Sequence, residues 1–246
     1  MMSYKLTEMI RECNNIVFFG GAGVSTESGV KDYRSNDGLY NTVKEYGVTP
    51  EEILSHSFFF QHPEIFYDFY RKYFIINVEP NNAHKALAEL ETVGKIKAVI
   101  TQNIDGLHQK AGSKNVIELH GTAGEFYCAS CGKKGATEVV LSEIKNKNLP
   151  RCECSGIMKP KVVLYGESLY EGVPEKAIHH IEIADMLIIG GTSLAVYPAA
   201  SFVRYFRGKY IVMINNSETE YDDNADLVIR ENIGEVFRKV MEELEG

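Results

Sequence analysis

Met186-Leu187-Ile188-Ile189-Gly190-Gly191-Thr192-Ser193 is the stretch that decides the fold. Four apolar residues run without polar alternation and then stop in two glycines and two small polar residues. An unalternating run of that length is what a strand covered on both faces looks like, and such strands belong to parallel sheets. The run lies inside an uncharged stretch, Met186 to Val203, long enough to raise a membrane-spanning reading. Gly190, Gly191, Thr192, Ser193 and Pro198 interrupt it, so a buried strand, a turn and a helix start account for it better.

The same pattern recurs along the chain. Ile16-Val17-Phe18-Phe19 runs into Gly20-Gly21-Ala22-Gly23, Ala98-Val99-Ile100 into Thr101-Gln102-Asn103-Ile104-Asp105, and Val116-Ile117-Glu118-Leu119 into His120-Gly121. Ile211-Val212-Met213-Ile214 runs into Asn215-Asn216. Helical patterns fall between these runs, at about Leu6–Cys13, Ala83–Val93, Pro174–Ala184 and Ile233–Leu244; the last carries Val236, Phe237, Val240 and Leu244 on one face. Strand and helix in alternation predict an α/β fold, a doubly wound parallel sheet of Rossmann-like type, with ligands at the carboxyl ends of the strands.

Two segments break the pattern. Residues 31–78 are rich in aromatics (Phe58, Phe59, Phe60, Phe66, Tyr67, Phe69, Tyr70, Tyr73, Phe74) and read as a helical insertion whose rings mostly pack a core. Residues 127–159 hold four of the five cysteines. The domain reading is therefore 1–30, 79–126 and 160–246 for the sheet domain, 31–78 for the helical lobe and 127–159 for a metal module. The net charge of -8 excludes a general nucleic-acid surface. The N-terminal MMSYKLTEMIRE has no signal-peptide core, so the expectation is a cytoplasmic protein with no membrane segment.

Three groups of residues carry chemistry. Gly21-Ala22-Gly23-Val24-Ser25 follows a strand and precedes a turn of helix, a context in which small residues let backbone N–H groups approach a pyrophosphate. Thr26 stands where a hydride-transferring dehydrogenase has its third glycine, and no acidic residue ends a second strand about twenty residues on. A dinucleotide bound otherwise than as a hydride donor fits, with a plain tight turn as the alternative. Thr101-Gln102-Asn103-Ile104-Asp105 packs more polar groups at one strand end than a turn needs. His120, at another strand end, is balanced between a catalytic and a structural reading. Cys128-x-x-Cys131 and Cys152-x-Cys154 suit a closed tetrahedral zinc site, against buried free or redox-active thiols. Cys13 reads as a core residue.

Taken in order, these residues resemble the sirtuins, a family of NAD-dependent protein-lysine deacylases, from about Asn15 to Asn232. The resemblance rests on Gly21-Ala22-Gly23-Val24-Ser25, Gly29-Val30-Lys31-Asp32-Tyr33-Arg34-Ser35, Thr101 to Asp105, His120-Gly121, the four cysteines, Gly191-Thr192-Ser193-Leu194 and Asn215. It implies an NAD-binding domain with a smaller zinc lobe, NAD as cosubstrate and one structural zinc. Gly21, Ala22, Gly23, Thr26, Thr192 and Ser193 would hold the phosphates and nearby ribose, Asn215 the adenosine ribose and Ile233 the adenine. Tyr33, Ile104 and Asp105 would form the nicotinamide pocket, and Arg34, Gln102 and Asn103 would orient the cofactor. His120 would be the base that deprotonates a ribose hydroxyl, with Asn103 and Asp105 beside it, giving free lysine, nicotinamide and O-acyl-ADP-ribose. An acylated-lysine protein would lie as an extended strand against Val163 and Gly166 on one side and Leu194 and Val196 on the other.

The chain departs from the family pattern in three places. Val30-Lys31-Asp32-Tyr33-Arg34 replaces the usual Ile-Pro-Asp-Phe-Arg, losing the proline that constrains the cofactor loop. Cys152-Glu153-Cys154 is one residue short of the usual second knuckle. The Tyr-x-x-Arg associated with acidic acyl groups is absent: Tyr67-Asp68-Phe69-Tyr70 puts Arg71 one place late, which favours acetyl or longer neutral acyls. The rival readings are a dehydrogenase, an ADP-ribosyltransferase and a catalytically weak NAD- or zinc-binding protein.

Overall fold

The computed structural model describes residues 2–32 and 43–246. Six strands form one sheet in the order β3-β2-β1-β6-β7-β8: β1 Ile16–Gly20, β2 Ile96–Thr101, β3 Val116–Glu118, β6 Met186–Gly190, β7 Tyr210–Ile214 and β8 Leu227–Ile229. Every pairing in it is parallel. Numbered by their own sequence, the six strands run 3-2-1-4-5-6, the doubly wound order. The order reverses between β1 and β6, and there the loops after these two strands meet. Strand β8 was not among the expected strands. Its three residues sit between Asp226 and Arg230, too short a run to stand out.

Alternate side chains explain why the strands read as unbroken apolar runs. On β1, Ile16 and Phe18 enter a core with Leu6 and Ile10 of α1 (Met2–Glu12), Leu87 of α6 (Asn82–Thr92) and Phe237 of α10 (Ile233–Glu245). Val17 and Phe19 enter the opposite core, with Ile181 of α9 (Val173–Ile183), Phe202 and Val203. Each fully buried Phe or Ile contributes about 1.5–3 kcal/mol, so covering both faces is what holds the sheet. The uncharged stretch resolves into β6, a turn, and a 3-10 segment over Ala199–Tyr205 where a helix start was expected. Among the described residues no helix is long and apolar enough to cross a membrane.

The smaller lobe is built from two excursions of the chain. Helices α2 (Val43–Tyr46), α3 (Pro50–Ile53), α4 (His56–Gln61) and α5 (Pro63–Tyr73) come from the first. The antiparallel pair β4 (Gly121–Cys128) and β5 (Met158–Val162), with α8 (Thr137–Lys145) between them, comes from the second. Phe59, Phe66, Phe69 and Tyr70 share one core with Phe126, Val140, Ile144, Met158 and Val162. Most of the aromatic stripe is thus packing, as expected; Phe60, 46% exposed, is the exception. The Tyr67 hydroxyl donates to the Met158 carbonyl and ties the two excursions together.

Candidate active site and metal centre

The loops after β1 and β6 are interlocked. Gly21 N–H donates to Gly190 O at 3.2 Å and Gly23 N–H to Gly191 O at 2.8 Å. A Cβ on Gly21 would lie 2.8 Å from Thr192 Cβ, and one on Gly23 would lie 2.8 Å from Gly191 Cα. This corrects the sequence reading in one respect. The N–H groups of Gly21 and Gly23 face carbonyls of the neighbouring loop, not a phosphate, and these glycines are small so that two loops can touch. The crevice they frame is a cavity of about 120 Å³ lined by Gly23, Thr26, Asp32, Gly191, Asn215 and Ile233 among others. Four residues named from sequence, Gly23, Thr26, Asn215 and Ile233, therefore converge on one cavity at the switch point. Its lining mixes amides, hydroxyls and one apolar wall with the carboxylates of Glu27, Asp32 and Glu231, a set that fits a nucleoside and its sugar hydroxyls. At its rim the N-terminus of α10 already holds a carboxylate, since Gly234 N–H donates to Glu27 Oε2 at 2.6 Å.

The strand end after β2 connects to both loops. Gln102 Nε2 donates to Thr192 Oγ1 at 3.0 Å, and Leu194 N–H donates to the same oxygen at 3.1 Å. Asn103 Nδ2 donates to Ser25 Oγ at 3.1 Å, and Ser25 Oγ donates to Asp105 Oδ2 at 2.7 Å. The other Asp105 oxygen accepts from Leu107 N–H at 2.9 Å. Ile104 reaches the small-lobe core, and its carbonyl accepts from Ala123 N–H at 2.9 Å. Tyr33 and Arg34 lie outside the described residues.

Two partners in this network were not read from sequence as site residues. Ser25 is fully buried and joins the Asn103 amide to the Asp105 carboxylate. His84, also fully buried on α6, brings Nε2 to 3.4 Å from Ser25 Oγ, while its Nδ1 accepts from Asn81 N–H at 3.3 Å. His84 Nδ1 also lies 3.1 Å from Asn81 Oδ1, and Ser25 Oγ, which accepts from the Asn103 amide, gives its own proton to Asp105. Burial pushes His84 down to about 4, against the pull of Asp105. No sequence signal marks it, because its spacing is that of an ordinary helix face.

His120 follows β3. A carbonyl can only accept, so the 3.0 Å contact from His120 Nδ1 to Gln102 O places the ring proton on Nδ1 and leaves Nε2 as the basic nitrogen. Burial lowers the imidazole below its ordinary value, and the bond to Gln102 O only partly offsets it. Gly121 has φ +75°, and a Cβ there would lie 2.0 Å from Lys161 O, so His120 is carried on a turn that only glycine permits.

At the far end of the small lobe, the ligand atoms of Cys128, Cys131, Cys152 and Cys154 all lie within 4.8 Å of one another. Cys128 Sγ is 3.4 Å from Cys154 Sγ, and Cys131 Sγ is 3.8 Å from Cys152 Sγ. Four thiolates bound to one tetrahedral zinc would be about 3.8 Å apart, so the donor set fits. Ser130 and Cys131 N–H groups point at Cys128 Sγ, at 3.4 and 3.5 Å, and favour its thiolate. The one-residue spacer in Cys152-Glu153-Cys154 does not prevent closure. The four cysteines are positioned to bind one zinc ion, with no side left open for chemistry.

Sheet order, the switch-point cavity and the closed cysteine site define a dinucleotide-binding α/β protein with a structural metal lobe. Comparison with known proteins narrows this class. The Sir2 family model matches residues 21–198, and the chain belongs to that family, the sirtuins. It is 54% identical over 241 residues to an NAD-dependent protein deacetylase of Clostridium perfringens (strain 13 / Type A), covering 97% of this chain and 98% of the relative. Among solved structures it resembles a Sir2–p53 peptide–NAD+ complex, with TM-score 0.89, 38% identity, and 100% and 99% of the two chains covered. It also resembles Sir2Tm bound to a propionylated peptide, with TM-score 0.88, 38% identity and the same coverage.

Proposed function

We propose that this protein is an NAD-dependent protein-lysine deacetylase, or more broadly a deacylase, acting in the cytoplasm. The observation that carries the reading is the fixed tautomer of His120, whose Nε2 is left as a neutral base by the bond from Nδ1 to Gln102 O. NAD supplies a nicotinamide–ribose bond whose cleavage lets the acyl group pass to the ribose. Gly23, Thr26, Asn215 and Ile233, which line one cavity, would surround the adenosine and phosphates, together with Ala22, Thr192 and Ser193, while Gly21 would hold the two loops together. Gln102, Asn103, Ile104 and Asp105, with Tyr33 and Arg34, would shape the nicotinamide side. His120 would take the ribose hydroxyl proton, and the Ser25 bridge would keep Asn103 and Asp105 aimed.

The partners in this reading are acyl-lysine segments of other proteins, lying extended between Val163–Gly166 and Leu194–Val196. The NAD domain in this reading is drawn from residues 1–30, 79–126 and 160–246, less the ends of β4 and β5 and the turn that follows them (121–126 and 160–167), which go with the 31–78 and 127–159 insertions on one shared small core. Neutral acyl groups are favoured. The Tyr67 hydroxyl is held by Met158 O and Arg71 by Asp68, so neither is placed to meet an acidic acyl chain.

The test mixes the protein with NAD and an acetyl-lysine peptide and follows both by mass spectrometry. One nicotinamide is expected for each acetyl group lost, and His120→Ala should lower the rate by about 10²- to 10⁴-fold. Undiminished activity in that variant would remove His120 as the base. Nicotinamide release with the acetyl group retained and ADP-ribose on the peptide would favour the transferase reading.

A further inference from the structure

One carboxylate outside the residues considered so far gathers three separate parts of the small lobe. Glu167 Oε1 pairs with His56 Nδ1, at the start of α4, at 2.9 Å. Glu167 Oε2 accepts from Lys159 Nζ on β5 at 3.0 Å and from Leu164 N–H at 2.9 Å. Its own N–H returns to Leu164 O at 2.9 Å, closing the turn around Tyr165 and Gly166. Lys159 Nζ also donates to Val162 O at 2.8 Å, so the ammonium bridges the strand end and the clasp.

The segment enclosed by these bonds is the one that would receive the substrate strand. Val163 N–H donates to the His120 carbonyl at 2.9 Å, Tyr165 N–H to Leu54 O at 2.9 Å, and His56 N–H to Tyr165 O at 2.9 Å. The N–H groups of Val163, Leu164 and Tyr165 are therefore all directed inward. Gly166, at φ +89°, turns the chain where an L side chain would be strained. What is left for a peptide is the Gly166 N–H and the carbonyls other than those of Leu164 and Tyr165, a narrower set than the whole segment.

We propose that Glu167 is a positioning residue for the acyl-lysine substrate, its carboxylate holding the Val163–Gly166 segment, and the turn that ends it, in the place that pairs with a peptide. The inference rests on the deacylase reading for the identity of that peptide. Burial works to raise the Glu167 carboxyl, but the bonds from His56, Leu164 N–H and Lys159 outweigh it and hold the group below its ordinary value. Lys159 is only 15% exposed, so without Glu167 its ammonium would be left half-sheltered and unpaired, and the segment above it would shift. Deleting the clasp should loosen a docking strand and leave the NAD cavity, in the other domain, as it is.

The experiment compares wild type, Glu167→Gln and His56→Phe. The second variant removes one arm of the clasp at an exposed site while keeping a ring against Phe60. Steady-state kinetics with an acetyl-lysine peptide are combined with calorimetry of acetyl-peptide and of NAD separately. Glu167→Gln should raise the peptide KM about ten-fold or more, with kcat at saturating peptide and the NAD Kd both within about two-fold. His56→Phe should raise the peptide KM about two- to five-fold. An unchanged peptide KM and Kd in both variants overturns the proposal, as does a parallel loss of NAD affinity. If Glu167→Gln does not fold, His56→Phe decides by the same criterion. A wild type that binds the acetyl-peptide without deacylating it refutes the deacylase reading and leaves the clasp to be judged by peptide Kd. A wild type that binds no acetyl-peptide overturns both.

Discussion

In the proposed role His120 must be neutral to work, and its partial burial favours that form. Desolvation lowers its imidazole below the ordinary 6.5. The active form is the deprotonated one, so activity should be present above that lowered value and lost as pH falls through it. The expected kcat/KM profile with acetyl-peptide has its acid limb below pH 6.5 and is flat from there to about pH 8. An acid limb centred above 7 would contradict the assignment. The residue scale is also where sequence reading divides most sharply. His120 and the Thr101–Asp105 cluster stand out because polar residues interrupt apolar strands. Ser25 and His84 do not, because the Ser25–His84 contact spans 59 residues and joins a loop to a helix face. Gly21 and Gly23 were visible, but the loop they touch, at Gly190 and Gly191, could only be known from the sheet order.

Individual elements were legible where an apolar run or stripe ended in a marked stop. Helices α1, α6, α9 and α10 and strands β1, β2, β6 and β7 follow the periodicity of their sequences, since each buries one stripe or both faces. Strands β3 and β8 are both three residues long; β3 was read because its run extends to Leu119 and stops at His120-Gly121, whereas β8 lies between Asp226 and Arg230 with no such stop. The cysteine pairs were legible from local spacing. That Cys128 meets Cys154 and Cys131 meets Cys152 follows only once β4 and β5 pair. Because β4, β5 and α8 share a core with α4 and α5, loss of zinc should not stay local. Stripping the metal with a strong chelator, or Cys131→Ser, is expected to abolish most of the tyrosine near-ultraviolet circular dichroism of the lobe. Far-ultraviolet signal from the sheet domain should largely survive. A metal content well below one zinc per chain in untreated protein, or unchanged near-ultraviolet signal on its removal, would count against this.

At the scale of the whole molecule, two buried imidazoles should weaken the fold in acid. His84 and His108 are 0% and 1% exposed and their ring centroids lie 4.7 Å apart. Burial pushes His84 to about 4 and His108, which also feels its neighbour, to about 3. Histidines whose folded values are depressed leave stability intact above the unfolded value near 6.5. As pH falls below it, the unfolded chain takes up protons that the native fold refuses, until the folded values are reached. Each should therefore cost about 2 kcal/mol by pH 5, so thermal midpoints should decline between pH 6.5 and 4. His108→Phe, which keeps a ring beside Phe18, should flatten that decline. A slope unaltered by this change would show that other groups dominate. The overall architecture was legible from sequence, since strand–helix alternation and apolar runs specify a doubly wound sheet. The joining of two distant insertions into one lobe was not, since nothing local encodes it.

That joining bears on how the protein is made. The Tyr67–Met158 contact spans 91 residues. On a ribosome adding roughly 5–20 residues per second, α4 and α5 emerge roughly 5–18 s before the strand that completes their core. For that interval Phe59, Phe66 and Phe69 lack the cover that Phe126, Val140, Ile144, Met158 and Val162 later give them. The nascent chain passes through a window in which its stickiest segment is exposed, and a holdase-type chaperone would find its target there rather than in the sheet.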